Sequence, residues 1–192
     1  MADFRLKAEG TGQSAGLLER AKTGDLDAFN DLMRLHEKQV LGTAWRLLGN
    51  LEDAQDAAQE TFLRLYKNLN RLPDIQEIKS WLHRVTVNLC NDMHRQRRRR
   101  GWEPMSGPEP ASSQMDPELA WTHQERGHLV ELALKTLPEK ERAAVVLRDM
   151  QGLSTREVAA ILGSSEVTVR SQICVARGKL KKFTDRYLRK RL

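Results

Sequence analysis

The stretch of sequence that decides the fold runs from position 153 to position 180, LSTREVAAILGSSEVTVRSQICVARGKL. Ser154 and Glu157 have the spacing of a capping box, in which each side chain bonds the backbone N–H of the other at a helix start. Gly163 follows the apolar run and can take the left-handed conformation that ends a helix. The serines after Gly163 can cap a second helix. This order predicts a helix-turn-helix.

The second helix of this stretch divides into an apolar face and a polar face. The residues expected to pack on the first helix are Val167, Val169, Ile173 and Ala176. The residues expected to face outward are Glu166, Thr168, Arg170, Ser171 and Gln172. In DNA-binding units of this kind, the outward residues of the second helix face the major groove.

The charge of the C-terminal segment favours DNA binding over a helical hairpin that only packs. After Glu166 the one acidic residue is Asp185, and the basic residues are Arg170, Arg177, Lys179, Lys181, Lys182, Arg186, Arg189, Lys190 and Arg191. Such a surplus of positive charge suits a phosphate backbone. The packing hairpin is the alternative, because helix pairs with a short glycine turn are common.

The whole chain has the composition of a basic globular protein. Its 192 residues carry a net charge of +6, with a pI near 9.5, which indicates an anionic partner. No segment reaches the ~18 uninterrupted apolar residues of a membrane span, and the N-terminus lacks a signal-peptide core. We therefore expect a cytoplasmic protein without membrane insertion. Cys90 and Cys174 lie in different halves and predict neither a disulfide nor a metal site.

Helical periodicity recurs along the chain, and aromatic and β-branched residues are too sparse for a sheet, so the predicted fold class is all-α. Before the helix-turn-helix, the expected helices run from Gly24-Asp25 to Gly49-Asn50 and over Glu52–Leu69, Ser80–Arg97, Leu119–Leu137 and Glu139–Met150. In the helix over Glu52–Leu69 the expected apolar face is Ala54, Ala57, Ala58, Phe62, Leu65 and Leu69. In the helix over Ser80–Arg97 it is Trp81, Leu82, Val85, Leu89 and Met93. Pro138 is expected at the first helical position of the helix over Glu139–Met150.

A change of composition separates two small helical domains. Residues 101–117 contain four prolines, two glycines and three serines with almost no apolar periodicity, which is typical of a flexible linker. The predicted organisation is a flexible tail at residues 1–20, a first domain at 21–100, the linker at 101–118 and a second domain at 119–192. The second domain is predicted to be a helix-turn-helix domain without a wing.

No pattern of catalytic or metal-binding residues is present in the sequence. None of the five histidines falls in a HExxH pattern, and neither a glycine-rich phosphate loop nor a nucleophile elbow occurs. Carboxylates at helix starts are explained by solvation and by the helix dipole. We expect a binding protein and not an enzyme, with no catalytic residues, no metal and no cofactor.

The third helix combines an aromatic ring, a cation and an amide on one face. Trp81, Arg84 and Asn88 recur at about one helical turn and could stack on a base, contact phosphate and read a base edge. Core packing of Trp81 is an equally good interpretation. The helix then runs into the basic sequence HRQRRRR at positions 94–100, which can contact phosphate or be solvated.

Four segments in order resemble the extracytoplasmic-function sigma factors, the compact group of the sigma-70 family that directs bacterial RNA polymerase to promoters. GDLDAFNDL, from position 24, is similar to the family's opening helix, and DAQDAAQETFLRLYKNL, from position 53, to its polymerase-binding helix. SWLHRVTVNLCNDMHRQRRR, from position 80, resembles the promoter-melting segment. ALKTLPEKERAAVVLRDMQGLSTREVAAILGSSEVTVRS, from position 133, resembles the second promoter-reading domain.

The resemblance implies partners and a set of site residues. The partners are promoter DNA and core RNA polymerase, the latter through the clamp helices of its largest subunit and its flap. The residues implied for polymerase binding are Asp53, Asp56, Gln59 and Glu60, whose other interpretation is as partners of the helix dipole. Those implied for the minus-ten element are Trp81, Arg84, Asn88 and Arg95. Those implied for the minus-thirty-five element are Thr168, Arg170, Ser171, Gln172, Cys174, Val175 and Arg177.

The second helix of the helix-turn-helix departs from the family's pattern. Where the family usually has GTVKSR and then a basic or aromatic pair, this chain has VTVRSQICVAR. Val167 thus replaces a glycine, and Gln172, Cys174 and Val175 stand where larger or basic residues are common. Glutamine can pair with adenine and small apolar groups can meet thymine methyls, so we expect a promoter preference particular to this chain.

Two other functions fit parts of the sequence. A stand-alone helix-turn-helix regulator would use the first domain for dimerisation or sensing, but that role requires neither the acidic second helix nor Trp81. A DNA recombinase would need a serine or tyrosine within a catalytic arginine cluster, and the sequence has none. Members of the resembled family are often held by an inhibitory anti-sigma factor, and no feature of this chain identifies one.

Overall fold

The computed structural model describes residues 16–99 and 123–189, and every regular element within them is helical, which confirms the all-α class. After a short helix α1 at residues 16–22, the helices are α2 Leu26–Leu48, α3 Leu51–Asn68, α4 Ile75–Arg99, α5 His123–Lys135, α6 Glu139–Val145, α7 Thr155–Leu162 and α8 Glu166–Arg189. A 3₁₀ turn, Leu69–Arg71, follows α3, and a π-helical turn, Val146–Met150, follows α6. The described residues form two compact units, 16–45 with 50–89, and 46–49 with those from 90 onward.

Helix α1 belongs to the core of the first unit. The predicted tail at residues 1–20 therefore needs correction over residues 16–20, which are helical, with Leu18 only 2% exposed. Leu18 joins a buried cluster that includes Leu32 of α2, Leu65 of α3 and Leu82 of α4. A helix this short is unstable alone, so tertiary packing and not its own pattern stabilises it. Residues 1–15 lie outside the described part of the chain.

Helices α2 and α3 each begin after a capping side chain. The Asp25 carboxylate accepts a hydrogen bond from the N–H of Ala28 at 3.0 Å, and the Asn50 side chain accepts one from the N–H of Asp53 at 2.8 Å. Between the two helices, Gly49 has a φ of +78°, in the left-handed region that favours glycine. The predicted apolar face of α3 is confirmed, since Ala54, Ala57, Ala58, Phe62, Leu65 and Leu69 are all buried.

Helix α4 begins earlier than predicted, with Ile75 and not Ser80 as its first residue. Asp74 caps it, because its carboxylate accepts the N–H of Glu77 at 2.8 Å. The prediction extended the loop because of Pro73, which in fact stands just before the cap. Of the residues predicted to face inward, Leu82 and Leu89 are buried and Trp81, Val85 and Met93 are half-buried.

Pro138 precedes α6 and does not open it. Its φ of −56° and ψ of 150° place it at the N-cap, and its carbonyl accepts the N–H of Arg142 at 2.9 Å. The helix predicted over Glu139–Met150 changes geometry after Val145, where the π-helical turn begins. The predicted linker at 101–118 and the predicted helix start at 119–122 lie outside the described residues.

Helices α7 and α8 form the predicted helix-turn-helix. The Glu157 N–H donates to Ser154 Oγ at 3.2 Å, and the Ser154 N–H donates to Glu157 Oε2 at 2.7 Å, which confirms the capping box. Gly163 is left-handed, with φ +59° and ψ 42°. Ser165 caps α8, since its Oγ accepts the N–H of Thr168 at 3.1 Å.

One residue of α8 that was predicted to pack on the first helix of the helix-turn-helix is exposed instead. Val167 is 72% exposed, whereas Val169, Ile173 and Ala176 are buried as predicted. The three buried residues follow a spacing of four and three, which keeps them on one side of the helix. Val167 precedes Val169 by two residues, a separation that turns it to the opposite side.

Candidate nucleic-acid interface

The outward side of α8 is open to solvent along the full length of the helix. Arg170, Ser171, Cys174 and Val175, four of the predicted minus-thirty-five residues, are all exposed. Gln172 is half-buried, and its Oε1 is buried without a hydrogen-bond partner. Exposed small and uncharged side chains along one side of a helix can approach the floor of a groove closely.

Three basic residues of α8 are paired with carboxylates. Arg170 Nη2 lies 3.0 Å from Glu166 Oε2 one turn earlier. Lys179 Nζ lies 2.8 Å from Glu141 Oε1 on α6. The guanidinium of Arg177 is hydrogen-bonded to the carboxylate of Asp149, and this contact raises the pKa of Arg177.

These pairs separate the predicted minus-thirty-five residues into two groups. Ser171, Cys174 and Val175 belong to the open side of the helix. Arg170, Thr168 and Arg177 are exposed but already bonded, Thr168 through its hydroxyl to Ser165 Oγ at 2.8 Å. The sequence did not reveal the partners Asp149 and Glu141, because they lie on other elements.

Helix α4 carries the predicted minus-ten residues. Trp81 is half-buried and packs against the core of the first unit, while Arg84 and Asn88 are exposed. Because three and then four residues separate them, the three side chains follow one line along the helix. Trp81 thus packs against the core and also remains partly accessible to solvent. Arg95, further along, is exposed with its Nη1 3.6 Å from Asp92 Oδ1.

Helix α3 presents the predicted polymerase-binding residues on its outer side. Asp56 and Gln59 are exposed, and Glu60 forms a 2.7 Å ion pair with Arg64. Asp53 is half-buried, and one of its carboxylate oxygens accepts a hydrogen bond from the Asn50 amide. Asp53 is therefore a capping partner, whereas the other three residues lie on the open side.

One functional candidate on this side of α3 was missed from the sequence. Leu63 is 48% exposed and stands seven residues after Asp56, so the two share one side of the helix. The sequence did contain a signal for the exposure of Leu63. Its position does not match the helical spacing of the buried face that includes Phe62 and Leu65. An exposed leucine beside carboxylates gives this side an apolar contact as well as charge.

Two pairs of polar side chains inside the first unit lie within hydrogen-bond distance of each other. The Gln39 amide lies 2.7 Å from His83 Nε2, and Thr61 Oγ1 lies 3.5 Å from Thr86 Oγ1. Burial raises the pKa of Cys90 to about 12, so this thiol stays protonated at neutral pH. No cluster of metal-ligating side chains occurs among the described residues. None of the helices in this same part of the chain combines the length and apolarity needed to cross a bilayer.

Two family models match the chain, one after the other. Sigma-70 region 2 matches residues 32–100, and Sigma-70, region 4 matches residues 128–180. The ECF RNA polymerase sigma factor SigE of Mycolicibacterium smegmatis is 38% identical over 86% of this chain and 66% of its own length. The ECF RNA polymerase sigma factor SigM of Mycobacterium tuberculosis (strain Erdman) is 34% identical over 87% of this chain and 82% of its own.

A solved structure shares the fold. CnrH, in complex with the cytosolic domain of CnrY, superposes with a TM-score of 0.65 at 26% identity, covering 90% of this chain and 97% of that one. The match to two sigma-70 regions in the right order agrees with the order of the four segments in the sequence. The chain therefore belongs to the extracytoplasmic-function group of the sigma-70 family, the sigma factors used by RNA polymerase in promoter-specific transcription initiation.

Proposed function

We propose that this chain binds core RNA polymerase and holds a promoter at two points, with a first domain ending at residue 100 and a second domain at 119–192. The observation that carries the proposal is the line of Trp81, Arg84 and Asn88 on α4. A stand-alone regulator needs only the helix-turn-helix and gives no reason for this line of side chains. The comparisons likewise do not favour that alternative.

The outer side of α3 is proposed to bind the clamp helices of the largest polymerase subunit. Asp56, Gln59, Glu60 and Leu63 supply charge, an amide and an apolar contact along about two helical turns. Asp53 contributes as the partner of the N-cap Asn50, whose side chain accepts the Asp53 N–H and so fixes where α3 begins. Contact of the second domain with the polymerase flap is part of the same proposal.

The outer side of α4 is proposed to open and hold the minus-ten element. The solvent-accessible part of the Trp81 ring can stack on an unpaired base, and the Asn88 amide can hydrogen-bond the edge of that base. Arg84 and Arg95 are placed along the same helix to contact the phosphates of the separated strand. A base that has left the duplex is accessible to all of these groups.

Helix α8 is proposed to enter the major groove of the minus-thirty-five element. Arg170, Ser171 and Gln172 supply hydrogen-bonding groups, and Cys174 and Val175 supply small apolar ones, which suits thymine methyls. We propose that Thr168 supports Ser165 at the helix start and that Arg177 acts at the border of this surface. The polymerase performs the chemistry, so this chain needs no catalytic residue, metal or cofactor and acts in the cytoplasm.

A protein inhibitor is also proposed as a partner. CnrH was solved in complex with the cytosolic domain of another protein. By analogy, an anti-sigma factor could cover the open side of α3 in this chain and compete with the polymerase. Competition between the two for Leu63 and Asp56 would make release from the inhibitor the step that permits transcription.

One reconstitution tests the proposal. The full chain is mixed with core RNA polymerase and a library of promoter fragments, and the 5′ ends of the transcripts are sequenced. We expect RNA with defined start sites that shares two upstream elements. Transcripts without defined starts, together with tight duplex binding by the free chain, would show that the stand-alone regulator is the correct alternative.

A further inference from the structure

Helix α8 continues well beyond the segment that can read bases. The match to Sigma-70, region 4 ends at residue 180, whereas the helix continues to Arg189. Past residue 180 one side of the helix is half-buried, where Phe183 and Tyr187 stack on each other with ring centroids 6.2 Å apart. The continuation is therefore a regular part of α8.

The opposite side of this continuation is basic. Lys181, Lys182, Arg186 and Arg189, here called the basic strip, are all exposed. None of the four has a carboxylate within 4.0 Å among residues 16–99 and 123–189, unlike Arg170, Arg177 and Lys179 on the same helix. Asp185 is the single acidic residue between them. Unpaired cations held together on a rigid helix attract an anionic partner.

The basic strip is aligned with the side of α8 that is proposed to read bases. Ser171, Gly178, Lys182 and Arg189 follow one another at intervals of seven, four and seven residues, which keeps them on one line. Lys182 lies about 16 Å along the axis from Ser171 at 1.5 Å per residue. The major groove is about 12 Å wide. A helix centred in the groove near Ser171 therefore places Lys182 beyond the groove edge, beside the phosphates.

Gly178 lies on this line about 10 Å from Ser171 at 1.5 Å per residue, between the proposed base-reading residues and Lys182. A Cβ built at Gly178 meets no atom within 4 Å, so packing within the protein does not require a glycine there. At an exposed position inside a helix, glycine makes the folded state less stable than alanine would. Gly178 therefore lowers the stability of the fold. A residue without a side chain does, however, let a phosphate backbone approach the helix.

We infer that Gly178 and the basic strip bind the DNA backbone bordering the groove that α8 reads, as a phosphate clamp that carries no sequence preference. This inference rests on the proposed function of α8. The proposed partner is duplex DNA, because Lys182 and Arg189 continue the line that begins at Ser171 among the proposed base-reading residues.

The test measures duplex binding by the free full-length chain, using fluorescence anisotropy on a random-sequence duplex over a range of salt concentrations. The variant Lys181→Gln/Lys182→Gln should bind more weakly and reduce the slope of log K against log salt by about 1.8, since each lost phosphate contact accounts for about 0.9. The matched control Lys38→Gln/Lys67→Gln removes two exposed lysines of the first unit and should keep the parental slope. Equal slopes for the two double variants would overturn the inference.

A second variant separates DNA contact from folding. Gly178→Ala should raise the melting temperature by about 4 °C, because alanine favours the helix, and should still weaken duplex binding. Unchanged duplex affinity with a raised melting temperature would refute the close approach at Gly178. Neither assay contains polymerase, so loss of defined start sites in the reconstitution would contradict the proposed function and leave these results standing.

Discussion

Arg177 of α8 and Asp149 of the π-helical turn are joined by two hydrogen bonds, from Nε to Oδ2 at 2.9 Å and from Nη2 to Oδ1 at 2.6 Å. Parallel bonds from a guanidinium to a carboxylate fix an orientation as well as a distance. The pair therefore ties the middle of the recognition helix to the element that precedes the helix-turn-helix. We conclude that Arg177 is suited to position α8, in addition to or instead of the predicted DNA contact.

A pair of variants separates positioning from DNA contact. If Arg177 acts through Asp149, Asp149→Asn and Arg177→Gln should weaken duplex binding to similar extents, and the double variant should be no worse than either one. The salt dependence of binding should stay parental in all three. A slope reduced by about 0.9 in Arg177→Gln but unchanged in Asp149→Asn would instead establish a phosphate contact by Arg177.

Asn88→Ala should impair promoter opening more than it impairs duplex binding. The exposed amide of Asn88 is proposed to bond a base edge that becomes available only after the strands separate. Opening can be followed by permanganate reactivity of unpaired thymines in the polymerase complex, and duplex binding by gel shift. Gln96→Ala, at an exposed position on the same helix, is the control and should change neither. Equal losses in both assays for Asn88→Ala would exclude base capture.

Asp56→Arg should abolish the binding of this chain to core RNA polymerase, because it reverses the charge of an exposed side chain at the centre of the proposed contact. Affinity can be measured by competition for labelled core enzyme. Leu63→Ala should weaken binding in the same assay while changing the free energy of unfolding by less than about 0.5 kcal/mol, as expected for a surface residue. Glu37→Arg, an exposed reversal on α2, is the control. If the Asp56→Arg variant keeps full affinity for the polymerase, the acidic residues of α3 act only at the start of that helix.

Acidification should destabilise the chain through His36. Burial, with a smaller contribution from nearby Lys79, lowers the pKa of His36, and its side-chain bond with Gln39 opposes the shift. The folded state thus binds the proton less tightly than the unfolded state, whose histidine has a pKa of about 6.5. Stability is complete above that pH and declines as the pH falls through it, because unfolding then takes up a proton.

Urea unfolding at pH 7.5 and pH 5.5 measures this dependence. The parental chain should lose stability at the lower pH, and His36→Gln should lose less. His128→Gln, at an exposed position on α5, should behave like the parent. The assignment to His36 is wrong if His36→Gln and the parental chain lose the same amount of stability.

Local signals in the sequence predicted local structure well. The capping box of Ser154 and Glu157, the left-handed Gly163 and the buried face of α3 were all confirmed, because each depends on residues within a few positions of one another. Asp74 and Glu77 carried the same kind of signal for the start of α4, but Pro73 beside them led to a longer predicted loop. The error in the start of α4 therefore came from competing local signals.

The sequence by itself determined the all-α class, the helix-turn-helix and the family, since helix periodicity, caps and motif order are written in neighbouring residues. Only the tertiary structure decided which polar residues are engaged and which are open. Tertiary packing also buries Leu18 among residues of α2, α3 and α4, and it pairs Arg177 with a carboxylate 28 residues away. Such pairings depend on how separate helices pack, and spacing along one helix carries no information about the side chain that a neighbouring helix brings against it.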